Sequence, residues 1–191
     1  MKKEDIKLRF DDHLETIKQT FNKHADKILE ISKLVANTYK KGNKVLVAGN
    51  GGSAADSQHM ATELVNRLYH HKKALSAIAL STDTSILTAW SNDEGFDYVY
   101  ERQVEAHGHK GDILVVITTS GNSMNLIHAV KKAKEMGLIT IALLGKDGGK
   151  MKRLCDYEII VPSNDVARIQ EAHELIYHLV CEYVEKQFVE Q

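Results

Sequence analysis

The chain has 191 residues, 43% of them hydrophobic, with 25 basic against 26 acidic side chains, a length and apolar content suited to one domain. Such a balance offers no strong field to nucleic acid, acidic polymers or a membrane surface, and no apolar run approaches the roughly 18 residues of a membrane span. Met1-Lys2-Lys3-Glu4-Asp5 leads into an amphipathic pattern and not an apolar leader, so the expectation is a cytoplasmic protein that handles a small molecule, with neither nucleic acid nor membrane as partner.

From Ile6 to about Tyr39 apolar residues recur at threes and fours, as in Leu14, Ile17 and Phe21, then Ile28, Ile31, Leu34 and Val35. That spacing predicts two N-terminal helices, joined near His24. Gly42-Asn43 stops the second, and Lys44 to Ala48 reads as a strand ending on Gly49. A helix is expected from about Ser53 to Tyr69, a strand near Ser76 to Leu80, and helical stretches over Ser85 to Trp90 and Tyr98 to Ala106. The strand Asp112 to Ile117, the helix Ser123 to Met136 and the strand Leu138 to Leu143 follow. After a glycine-broken turn come the strand Tyr157 to Val161 and a long helix from about Asp165 to Phe188.

Continuous apolar strands alternating with helices imply an α/β fold: a three-layer sandwich, doubly wound, with a mostly parallel five-stranded sheet and right-handed crossovers. No internal repeat, linker or low-complexity segment divides residues 1–191, and 1–41 is expected to pack on the domain as a helical segment. Cys155 and Cys181 are far apart and lack CxxC spacing, so both read as buried thiols. Of the ten histidines, His70, His71, His107 and His109 lie in polar, loop-like stretches where solvation explains them.

In open parallel sheets ligands bind where strands end and helices begin. Two such junctions are rich in glycine and hydroxyls: Gly49-Asn50-Gly51-Gly52-Ser53 and Thr118-Thr119-Ser120-Gly121-Asn122-Ser123. In the second, Gly121 permits a tight turn, the hydroxyls can donate to phosphate oxygens, and the following helix offers unpaired N–H groups. Ser123 or Asn122 could simply cap that helix, which explains one hydroxyl but not four in six residues. The first loop also fits G-x-G-x-x-A, a dinucleotide fingerprint, although the acidic residue that should follow the second strand could only be Asp83, which lies late.

On the helix after the first loop, His59 and Glu63 are four apart and share a face, the spacing that lets two side chains meet one metal ion. Arg67 lies one further turn along. An isolated pair of this kind is more often an ordinary helical contact. The last helix begins Ala167-Arg168-Ile169-Gln170-Glu171-Ala172-His173-Glu174 and carries His178 among Leu175, Ile176 and Leu179. Gln170 read alone is a first-turn polar residue, and His178 a hydrogen-bonded core histidine.

The loops GNGGSAADSQH and TTSGNS, the run SNDEG and the helix RIQEAHELIYH, in this order and across nearly the whole chain, resemble the sugar isomerase (SIS) superfamily. Within it they are most similar to members that isomerise sedoheptulose 7-phosphate in bacterial heptose synthesis. The resemblance implies a homotetramer with one Zn²⁺ per subunit that interconverts a ketose phosphate and an aldose phosphate. It implies His59, Glu63, Gln170 and His178 as zinc ligands, with Glu63 and His178 as the acid/base pair. Thr118, Thr119, Ser120 and Ser123 would hold the phosphate, while Asn50, Gly51, Gly52, Ser53, Arg67, Asn92, Asp93 and Gln170 would line the sugar site.

Two positions depart from the pattern: Thr118 stands where serine is common and keeps the hydroxyl, and Ala167 stands where some members carry an aspartate. Gln170 and His178 are eight residues apart, a rise of about 12 Å along one helix, which suggests that a neighbouring subunit delivers one of them and that the active sites lie at subunit interfaces. The rival expectations are a non-catalytic relative that binds the replication initiator DnaA, and an SIS isomerase or sensor for another sugar phosphate. Relatives of the first kind lack the side chains at Glu63 and His178, which this chain retains.

Overall fold

The structure is a computed structural model that describes residues 1–189; positions 190–191 of the expected domain lie outside the described residues. Lys3–Lys40 forms one helix, α1, where two were expected. No glycine or proline interrupts it, and the polar Asn22-Lys23-His24 step that suggested a joint is part of the helix. His24 Nε2 meets the Ile160 carbonyl at 2.9 Å, so the side chain docks α1 against the sheet. At 1.5 Å per residue the helix is about 57 Å long.

The chain continues through β1 (Val45–Gly49), α2 (Gly52–Val65), β2 (Ala77–Ala79), α3 (Thr84–Asp93), α4 (Val99–His107) and β3 (Ile113–Thr118). It ends with α5 (Met124–Glu135), β4 (Ile139–Leu144), β5 (Tyr157–Ile160) and α6 (Val166–Lys186). The five strands are all parallel in the order β2-β1-β3-β4-β5. Alternate strand residues face opposite layers, as the period of two requires. Val45, Val47, Ile113, Val115, Ile117, Ile141 and Leu143 pack against α1, α2 and α6. Leu46, Ala48, Leu114, Val116, Ala142 and Leu144 pack against α4 and α5. Both cysteines are buried free thiols, and burial pushes each up to about 12.

The α2 helix stops at Val65, a turn short of the expected Tyr69, for a reason located far along the chain. The buried Glu185 carboxylate of α6 accepts from the backbone N–H groups of Leu68, Tyr69 and His70 at 2.6, 2.8 and 2.9 Å; burial pushes its pKa up, and the three bonds together outweigh burial and hold it below the usual range. Lys72 Nζ donates to the Leu64 and Asn66 carbonyls. These two side chains satisfy the groups that a further helical turn would have used.

Candidate active site

The strand order makes β1 and β3 neighbours, and the helices that follow them leave on opposite faces, α2 toward α1 and α6, and α5 toward α4. Their loops therefore leave the carboxyl ends of the strands at the switch point of the sheet, the place where ligands bind in open parallel sheets. Both helices start without a side-chain cap: Gly51 precedes α2, and Ser123, which could have been a cap, makes no capping bond to α5. By contrast Asp83 caps α3 and Asp165 caps α6. Asp83 is thus committed to the Ile86 N–H, at 3.0 Å, in place of the ribose role of a dinucleotide site.

In the 118–123 loop Thr118 Oγ1 accepts from the Gly121 N–H and Ser120 Oγ from the Asn122 N–H, each at 3.2 Å. A hydroxyl that accepts within the loop keeps its own proton to donate outward, the arrangement a phosphate needs. Gly121 has φ +66°, and a Cβ there would lie 2.0 Å from the Gly148 carbonyl oxygen. The 145–149 turn is therefore packed directly against this loop.

The first loop is tied to the second by Asn50 and Asn125, whose amides bond reciprocally at 3.0 and 2.9 Å. Asn50, expected on the sugar, spends its side chain on this tie. Ser53 is buried, and its N–H donates to the Asn50 carbonyl in the turn. A Cβ on Gly52 would lie 2.3 Å from Gln170 Nε2, so α6 brings that amide onto the start of α2. Arg67 falls beyond the end of α2, off the His59/Glu63 face where it was expected, with Nη1 2.6 Å from His71 Nε2. Asn92 and Asp93 lie exposed at the end of α3, bonded to each other at 3.0 Å.

Where α2 packs on α6, His59 Nε2 lies 3.3 Å from Glu63 Oε1 and 3.4 Å from His178 Nε2. The structure thus brings His178 to His59 within one chain, and no second copy is needed for that residue, contrary to one branch of the expectation. Gln170, two turns earlier on α6, stays at Gly52 and does not join them. His59, Glu174 and His178 form a group able to hold a metal ion, one ligand atom from each lying within 4.8 Å of the others. Ligands at about 2.0–2.1 Å around a tetrahedral ion are separated by about 1.63 bond lengths, roughly 3.3–3.4 Å. The spacings of His59 Nε2 to Glu63 and to His178 match that edge. Glu63 is nearly enclosed, its side chain 12% exposed against 42% for His59, and its Oε2 is buried with no partner.

Four residues at this site went unmarked in the sequence. Glu174 was legible, since it sits four before His178 and four after Gln170 on one helical face. Tyr177, with its hydroxyl 2.9 Å from His59 Nδ1, looks in sequence like one more apolar position of α6. Asp56, one turn before His59, is pushed up to about 6 by burial and the Glu174 charge, with His59 opposing, and its Oδ2 has no partner. Asn125 carried no signal beyond its place in the first turn of a helix.

Residues 10–145 match a family model described as SIS domain. A phosphoheptose isomerase of Clostridium acetobutylicum is 54% identical over 164 residues, covering 86% of this chain and 84% of that protein. The structure of a phosphoheptose isomerase from Francisella tularensis superposes with a TM-score of 0.94 at 37% identity, covering 97% of this chain and 100% of that one. For a phosphoheptose isomerase from Neisseria gonorrhoeae the TM-score is 0.91 at 40% identity, with coverage of 96% and 98%.

Proposed function

The chain belongs to the SIS domain family, and from that membership and its phosphoheptose isomerase relatives we propose that it converts sedoheptulose 7-phosphate to D-glycero-D-manno-heptose 7-phosphate, an aldose–ketose isomerisation that opens bacterial heptose synthesis for lipopolysaccharide or capsule. The observation that carries this reading is that Glu63 and His178 both approach His59 Nε2 at the α2/α6 crossing, on the helix that starts from the first glycine loop.

In this reading Thr118, Thr119, Ser120 and Ser123 donate to the phosphate, helped by the uncapped start of α5. The start of α2 at Gly51, Gly52 and Ser53, with the Gln170 amide against it, faces the sugar hydroxyls, and Arg67, Asn92 and Asp93 complete the outer wall. Isomerisation moves a proton between adjacent carbons through a cis-enediol. Glu63 Oε1 is turned to His59 while Oε2 is buried without a partner, and in this reading the Glu63 carboxylate takes that proton. His178 then exchanges a proton with the sugar oxygen. Zn²⁺, one per subunit, would be held by His59, Glu63 and His178, with Gln170 left at Gly52 and outside the ligand set, and when bound would supply Lewis acidity to the carbonyl.

Purified protein given zinc and sedoheptulose 7-phosphate is expected to release an aldose phosphate. No turnover under those conditions would overturn the assignment, and turnover of a different ketose phosphate alone would move it to another SIS activity.

A homotetramer in the cytoplasm with sites at subunit interfaces belongs to the same reading. Phe10, Leu14 and Phe21 on α1 and Leu175 and Leu179 on α6 stand exposed, an apolar surface that a second copy would cover. No helix among the described residues is long and apolar enough to cross a membrane. Phe21→Glu should lower the mass measured by light scattering; a tetramer unchanged by that charge would remove α1 from the interface.

A further inference from the structure

We propose that Tyr177 is a positioning residue: its hydroxyl oxygen, 2.9 Å from His59 Nδ1, accepts a hydrogen bond from the N–H of that nitrogen and so presents the Nε2 lone pair to the metal ion. The inference rests on the metal reading given above. It decides between two ways in which His59 could serve an ion.

The two ring nitrogens of His59 look toward different partners. Nε2 has Glu63 Oε1 at 3.3 Å and His178 Nε2 at 3.4 Å. Nδ1 has the Tyr177 hydroxyl at 2.9 Å and Glu174 Oε1 at 3.6 Å. An ion on Nδ1 would recruit Glu174 but would have to displace the phenol. The phenol is not free to leave, because the Tyr177 ring is 1% exposed in the core between sheet and α6. It also stands edge-on to both imidazoles, with centroids 5.6 Å from His59 and 4.8 Å from His178. An ion on Nε2 would recruit Glu63 and His178 in place of the 3.4 Å contact between the two imidazoles, and would leave the phenol where it is.

The direction of the hydrogen bond follows from what the two ring nitrogens face. Nε2 faces Glu63 and His178, and Nδ1 faces the phenol oxygen, which has lone pairs to accept with. An ion on Nε2 takes the lone pair of that nitrogen, so the ring proton sits on Nδ1, 2.9 Å from the phenol oxygen. The oxygen lone pair is left for the His59 Nδ1–H. A histidine that binds metal through one nitrogen while the other donates to a fixed acceptor is held in both tautomer and orientation.

The test uses the full-length protein without sugar. Nitrogen-15 NMR of the metal-free protein, above the titration range of imidazole, should show His59 protonated on Nδ1. In Tyr177→Phe the ring should revert toward the Nε2–H form that free imidazole prefers. Zinc affinity by chelator competition should fall about 10–100-fold in Tyr177→Phe, and by less in Glu174→Gln. An Nε2–H tautomer in the wild type, or zinc binding unchanged in Tyr177→Phe, overturns the proposal, as does loss of zinc in Glu174→Gln alone. Wild-type protein that binds zinc yet turns over no heptose phosphate defeats the functional reading and leaves this one standing. If the wild type binds no zinc, the metal reading fails, and with it the role given to Tyr177.

Discussion

Asn50 and Asn125 face each other across the switch point of the sheet and exchange two hydrogen bonds, Nδ2 of each donating to Oδ1 of the other. Asn125 Oδ1 also accepts from the Leu126 N–H at 2.9 Å. The glycine loop of α2 and the hydroxyl loop of α5 are thereby one body. A phosphate gripped by the second loop is held in fixed register with groups on α2.

Asn125→Ala should break that register. Its side chain is buried, so removal strands the Asn50 amide and the Leu126 N–H at a cost of about 1–3 kcal/mol for an unmet group. The expected kinetics are a raised KM with a lowered kcat, since phosphate and reacting carbons are no longer aligned. Unchanged kinetics alongside a lowered melting temperature would make the pair purely structural.

Gly52→Ala and Gly121→Ala should fail differently. The added methyl at 52 meets the far end of the Gln170 side chain, which can turn aside, so the protein should fold with near-normal stability while turnover falls. At 121 the methyl meets the Gly148 backbone, and φ is +66°, so thermal melting should drop by several degrees and phosphate protection should vanish. Equal stability losses in the two variants would contradict this division.

Glu63→Gln keeps side-chain volume and removes basicity. Binding of the sugar phosphate, followed by calorimetry, should persist while kcat is nearly abolished. Loss of binding to the same degree would assign Glu63 to structure. Chelation of the wild type should likewise abolish turnover, and activity undiminished in metal-free protein would remove zinc from the chemistry.

His173 gives the fold an acid sensitivity. It is fully buried, its Nε2 donating to the Leu144 carbonyl at 2.9 Å, and burial lowers its pKa from 6.5 to about 4. Between about pH 6.5 and 4 the unfolded chain takes up a proton that the folded one refuses, so stability falls as pH drops through that window and levels off below it. Asp56, raised to about 6, acts in the opposite sense, and the difference between wild type and His173→Gln isolates the histidine. Urea midpoints of the variant should decline less steeply from pH 6.5 to 4.5; parallel curves would show that His173 does not titrate there.

The layers were legible because buried parallel strands are continuous apolar runs, as in Ile113 to Ile117 and Ile139 to Leu144. The two loops and the His59/Glu63 face were legible because local spacing sets them. What escaped was decided at a distance. Arg67 left the α2 face because Glu185, 118 residues later in the sequence, ends that helix. The Asn22-Lys23-His24 step looked like a joint because the acceptor for His24 lies on β5, 136 residues away. Nothing near Tyr177 in sequence shows that its hydroxyl meets a histidine of α2.

The long first helix has a consequence in time. Its tertiary partners are the last to be made: His13 pairs with Glu171 at 2.7 Å, 158 residues downstream, and the Arg9 carbonyl takes Arg168 Nη1. At synthesis rates of about 5–20 residues per second, α1 waits roughly 8–30 seconds outside the ribosome for α6. During that interval the α6 side of its apolar stripe lacks a partner, and the nascent chain depends on whatever shields it.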